Sequence, residues 1–198
     1  MHMFSRRTRL VIVFVAIVVA GYLMVRLIQG DSRVPQQFTD ARLQGAIIAQ
    51  NIVNLSNQSA ADLEKVNTFD QERNYGDALT LTANLVTQSQ QIRDQAVALS
   101  AQVGEMTKAL SDISDINARQ AALESISSRL ALINQLVSYS ADLSRLLDVL
   151  RIRFAGQGGT ATEVNALVTQ INIDVNAINS FNSQAGQAMD RFDTIVGK

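Results

Sequence analysis

The sequence predicts an all-α protein: an N-terminal transmembrane helix followed by an elongated, antiparallel up-down-up-down four-helix bundle. Three observations carry this. Residues Leu10 to Val25 form an apolar run uninterrupted by charge. Beyond it, four stretches of nearly equal length place apolar or small residues at alternating steps of three and four, which puts each stripe on one helix face. The chain has a single proline, Pro35, so nothing later interrupts a long helix by removing a backbone donor.

Residues 1–9 read as a basic cytoplasmic tail, with Arg6, Arg7 and Arg9 immediately before the apolar run. Residues 10–29 read as the anchor. A spanning helix needs about 20 residues, and Leu10 to Ile28 supplies them if Arg26 reaches back to the interface along its aliphatic stem. A cleaved signal peptide would have an apolar core of about 7–15 residues and a small-x-small site; Met24 to Asp31 offers no Ala-x-Ala. Ser5-Arg6-Arg7-Thr8-Arg9-Leu10 is similar to a twin-arginine export motif but carries Arg9 where an aromatic residue is usual. Positive charge concentrated before the span favours a cytoplasmic N-terminus and an extracytoplasmic bundle at the cell membrane.

Residues 30–35, Gly-Asp-Ser-Arg-Val-Pro, form a linker; glycine suits a helix end and proline a helix start. The bundle is then expected over 36–198, with helices at about 36–70, 75–110, 116–154 and 161–196. The second stripe runs from Ala78 through Leu85, Ile92 and Leu99 to Leu110, and the fourth from Val164 through Ile171 and Ile178 to Val196. The third is expected to bury Leu123, Ile126, Leu130, Ile133 and Val137 on its way to Phe154. Asn74-Tyr75-Gly76-Asp77 reads as a turn with Asp77 as the cap. Gly156-Gln157-Gly158-Gly159-Thr160 reads as a loop ending in a capped helix start. Ser111 to Asp115 reads either as a turn or as continuous helix, which would make a longer bent hairpin. Many stripe positions are Ala, Ser, Thr or Gly, which implies close helix approach or a thin core.

The overall charge of −1 hides an asymmetry. Residues 1–33 hold five arginines against Asp31, giving +4, which leaves −5 for residues 34–198. A mildly acidic domain is poorly suited to nucleic acid, whose phosphates require clustered cations. There is no Cys, and the one histidine, His2, lies in the tail, so thiol nucleophiles and thiolate metal sites are absent. Glu64, Glu72, Glu105, Glu124 and Glu163 are scattered and form no Glu-x-x-His pattern, the signature of carboxylate metal bundles. The Gly156 loop lacks the Gly-Lys-Ser/Thr ending of a phosphate-binding loop. No enzyme activity, cofactor or metal is expected.

Two sets of residues are candidates for binding. Arg73, Tyr75, Arg151, Arg153 and Phe154 gather cations and aromatics at the expected distal tip, a composition suited to a protein partner or anionic ligand. Asn165, Asn172 and Asn179 recur every seven residues, and Asn182 falls within the fourth stripe; buried asparagines at such spacing set register in coiled coils. By architecture the chain resembles LemA-type membrane proteins and the extracytoplasmic bundles of chemoreceptors. Of the LemA-type Asp-Leu-x-Pro-Asn-Leu-Val signature, Asn84-Leu85-Val86 is present without the preceding proline, and no functional residue carries over. The expected function is a structural or protein-interaction module of the cell envelope, working through a protein partner or self-association. The alternative is an extracytoplasmic sensor holding a small ligand near Ser89, Ser140 and Asn182 and signalling through a partner.

Overall fold

The computed structural model describes residues 34–197. The basic tail, the expected anchor and most of the linker lie outside the described residues. Among those described there is no strand, and no helix is long and apolar enough to cross a membrane.

Four helices account for nearly all of the described chain: α1 (Gln36–Gln71), α2 (Tyr75–Lys108), α3 (Ile116–Phe154) and α4 (Ala161–Val196), with a 3-10 turn over Ala109–Asp112. Each start has an identifiable cause. The Pro35 carbonyl accepts from the Phe38 and Thr39 N–H groups. At α2 the cap is Asn74, not Asp77: the Asn74 side chain accepts from the Asp77 N–H and its amide donates to the Asp77 carboxylate at 2.7 Å. Asp77 instead sits in the first turn, where the exposed N–H groups favour a negative charge. Asp115 accepts from Asn117 and Ala118 at the start of α3. Thr160 and Glu163 form a reciprocal capping box at α4.

The segment 111–115 is a turn. Ile113 is extended and buried, plugging the end of the core, and Arg119 donates twice to its carbonyl, at 3.0 and 2.8 Å. That carbonyl therefore has partners outside any helix, and Asp115 restarts one.

Interhelix contacts fix an antiparallel register. Gln37 bonds Glu105 and Ser59 bonds Gln88 across α1–α2. Ser89 bonds Ser140 across α2–α3, and Ser125 donates to the Ala185 carbonyl across α3–α4. Sequential neighbours pack along their lengths, whereas the backbones of α1 and α4 stay apart almost everywhere. That last pair is closed at one end by a clasp: Phe38 against Phe192, ring centroids 5.2 Å apart, and Arg42 gripping Asp193 with both terminal nitrogens, at 2.7 and 2.9 Å.

The third stripe departs from expectation. Leu123, Leu130 and Val137 are not in the core; with Ile116 they form an outer line exposed by 74, 53, 44 and 36% in order along the helix. The physical reason is the mismatch between a seven-residue repeat and the α-helix, which turns such a line by about 20° per heptad. The line starts on the outer surface and drifts inward until Ser144, one heptad on, hydrogen-bonds with Ser89 on α2. The core face of α3 is instead centred on Ala122, Leu136, Leu143 and Leu150.

Candidate functional site

The tip is built by the α1–α2 turn and the end of α3. Arg73 takes a left-handed conformation (φ 59°), which reverses the chain after α1. This brings Tyr75 over Phe154, stacked at 6.0 Å; Phe154 is buried and Tyr75 remains half out. Arg153 reaches back to Asp70 at 3.3 Å, and Arg151 lies along its own helix against Asp148. The loop after α3 folds back over the last turn. Gly159 has φ 77°, and a Cβ there would meet the Val149 carbonyl at 2.8 Å, so only glycine fits. Tyr75, Phe154 and Arg153 thus share one small surface, while Arg73 is exposed at its edge and Arg151 is drawn to the side.

The asparagines divide. Asn165 is exposed, whereas Asn172, Asn179 and Asn182 are half-buried. The carboxamide oxygens of Asn172 and Asn179 are enclosed without a hydrogen-bond partner, as is that of Asn67 on α1. Asn165, Asn172 and Asn179 share a heptad line that continues through Gly186 to Asp193, the residue gripped by Arg42 of α1. The last member of the line is held against α1; the first, Asn165, is exposed.

Besides the Ser125–Ala185 bond, three buried polar groups among the described residues join the helices. Ser89 Oγ donates to the Ser140 carbonyl at 2.8 Å, and Ser140 Oγ returns a bond to the Ser89 carbonyl at 2.7 Å. These hydroxyls are committed to each other and to Ser144. On α1–α2, Gln88 accepts from Ser59 and donates to Asp62, which also holds Lys65 at 2.9 Å. Burial works against the Asp62 charge, but Lys65 and Gln88 prevail and hold its carboxyl below the ordinary value.

The third group has the opposite sign. Asp174 of α4 is 1% exposed. One carboxylate oxygen accepts from Gln135 and Gln170 at 2.7 and 3.1 Å, and the other has no hydrogen-bond partner. Burial pushes this carboxyl upward, the two amides pull it down, and the facing Asp142 carboxyl adds to the rise, so that it ends above the ordinary value. Tyr139 beside it is pushed up to about 12 by burial and by the Asp174 charge. Arg145 lies 3.7 Å from Asp142 on the solvent side.

The sign of the pH effect follows. A carboxyl whose pKa is raised on folding binds protons more tightly in the native state, so its contribution to stability falls as pH rises through the interval above 3.8. Asp174→Asn keeps the acceptor for Gln135 and Gln170 and presents an N–H to Asp142. The variant is expected to gain about 1 kcal/mol at neutral pH and to lose that gain in acid, read by urea denaturation at several pH values. Asp62 acts in the other direction, losing its contribution as pH falls through its lowered pKa.

Asp62 and Asp174 are missed when only apolar residues are followed. The signal is present nonetheless. Asp62 lies three after Ser59 and four before Val66, and Asp174 lies three after Ile171 and four before Ile178, so both occupy stripe positions.

An open polar groove of about 750 Å³ runs between α3 and α4, bordered by Ser127, Ser128, Gln184 and Gln187 and by the Glu124–Arg191 ion pair. Among the described residues, no group of three or more acidic, His or Cys side chains could hold a metal ion. No protein-family model, curated protein or solved structure matches this chain.

Proposed function

We propose that this chain is a membrane-tethered helical bundle held outside the cytoplasm, acting as a structural or protein-interaction module of the cell envelope rather than as an enzyme. The observation that carries the reading is the uncharged run Leu10 to Val25 preceded by Arg6, Arg7 and Arg9, the charge pattern of an anchor with its N-terminus inside. A bundle whose four helices bury a common core suits display on such a stem. In this arrangement α1 leaves the bilayer, and the Tyr75–Phe154 tip stands roughly 50 Å from it, the length of α1 at 1.5 Å per residue.

Protease added to cells stripped to the inner membrane is expected to cut an epitope placed after Lys198, and to leave it intact when added to the cytoplasmic face. The reverse pattern overturns the topology. The α3–α4 groove favours a second reading, a sensor that binds a small polar ligand. Thermal shift of the detergent-solubilised chain against a panel of polar metabolites separates the two: stabilisation by one compound supports the sensor, and stabilisation by none removes it.

A further inference from the structure

The outer face of α3 carries a second apolar stripe that the bundle does not use. Ile116, Leu123, Leu130 and Val137 are four of the ten large hydrophobics exposed among the described residues, and they are spaced by seven throughout. The other six are divided among four helices: Leu43 and Ile47 on α1, Tyr75 and Val97 on α2, Ile152 on α3 and Ile173 on α4. At 1.5 Å per residue the stripe is about 32 Å long, enough for three heptads of knobs-into-holes packing.

We infer that this stripe pairs with the same stripe of a second copy, forming a homotypic α3–α3 coiled coil. The chemistry of the face selects that occupant. From Ile116 to Ala141 the exposed positions of α3 include one charge, Arg119, and its guanidinium is already spent on the Ile113 carbonyl. Glu124 at the margin is paired with Arg191. A surface this sparsely charged repels its own copy only weakly, whereas a strongly charged helical partner would find little that is complementary. Between the apolar knobs lie Gln120, Ser127 and Asn134, all exposed. Amides and hydroxyls both donate and accept, so each is its own complement across a two-fold axis. A shared anchor would hold both copies in the same direction and make the pair parallel; this choice of direction alone rests on the tethered-bundle reading.

The cysteine-free sequence makes the test direct. Single cysteines are placed in the full chain in membranes, and disulfide-linked dimers are followed after mild oxidation. Ser127→Cys lies near the middle of the stripe, so it meets its counterpart in a parallel or an antiparallel pair. Ile116→Cys and Val137→Cys meet theirs only in a parallel pair. Strong linkage at 127, reduced about tenfold or more when Leu123→Lys and Leu130→Lys are added to bury charge in the seam, is the expected result. Both lysines sit on exposed positions, so circular dichroism should be unchanged and the loss of linkage is not a folding defect. Val97→Cys, exposed on α2, should give little dimer. No linkage at 127, or linkage equal to that at 97, overturns the self-pairing. Linkage at 127 without linkage at 116 and 137 keeps the self-pairing but contradicts the shared anchor.

Discussion

Phe192→Ala is expected to cost about 3–5 kcal/mol, the range for truncating a fully enclosed aromatic, and to lower the melting temperature by roughly 10 °C in a domain of this size. Phe192 is buried against Phe38 across the α1–α4 seam, where the backbones hold apart. Elsewhere a cavity would be bordered by two helices pressed together along their length. Here the side chains are the contact, and Arg42–Asp193 is left to close α1 on α4 with partly exposed charges, a contribution of about 1 kcal/mol at most. Hydrogen exchange should therefore show a local effect larger than the global one, with amides in the first turns of α1 losing protection before those of α2 and α3. Uniform loss of protection would mean that α1 is held by its long interface with α2, and that the clasp contributes little.

Ser140→Leu is expected to cost about 3 kcal/mol, and Ser140→Ala only about 1 kcal/mol. The two serines exchange side-chain-to-backbone bonds in both directions, which requires the α2 and α3 backbones to approach within the reach of a hydroxyl. Alanine removes one such bond but leaves the spacing intact. Leucine removes the bond and adds volume where none is available, forcing the helices apart or a side chain out of its rotamer. Chemical denaturation of both variants measures the difference. Near-equal costs would show that hydrogen bonding, and not proximity, matters at this crossing.

The all-helical character and the four helices were legible because apolar residues recur at three and four for more than thirty residues at a time, and because Pro35 and the glycines of 156–159 stand where the chain must turn. The face of each helix was less legible. In α3, Ile126 and Ile133 face inward while Leu123 and Leu130 face outward, yet all four are aliphatic at permitted steps. Periodicity alone cannot separate the two lines, because both follow the same seven-residue repeat. The polar core was only half legible: Asp62 and Asp174 hold stripe positions, but the partners that let a carboxylate stay there, Gln88 and Gln135 across helices, are not contained in a one-dimensional pattern. At the tip, Tyr75 and Phe154 lie about eighty residues apart in sequence; that they meet follows from antiparallel pairing of α2 and α3, but the pairing of Arg153 with Asp70 depends on how α1 ends.

The clasp between the start of α1 and the end of α4 has a mechanical consequence. Residues 36 and 196 lie at the same end of the molecule, so tension between whatever precedes Gln36 and whatever holds Val196 acts across the α1–α4 seam and not along it. Such a load peels the pairs open in succession, Phe38–Phe192 and Arg42–Asp193 first, instead of shearing all contacts at once. The same bundle pulled between the Arg73 turn and the Gly156 loop would leave that clasp unloaded. The molecule is therefore weak against one direction of pull, and that direction is the one in which its two ends are drawn apart.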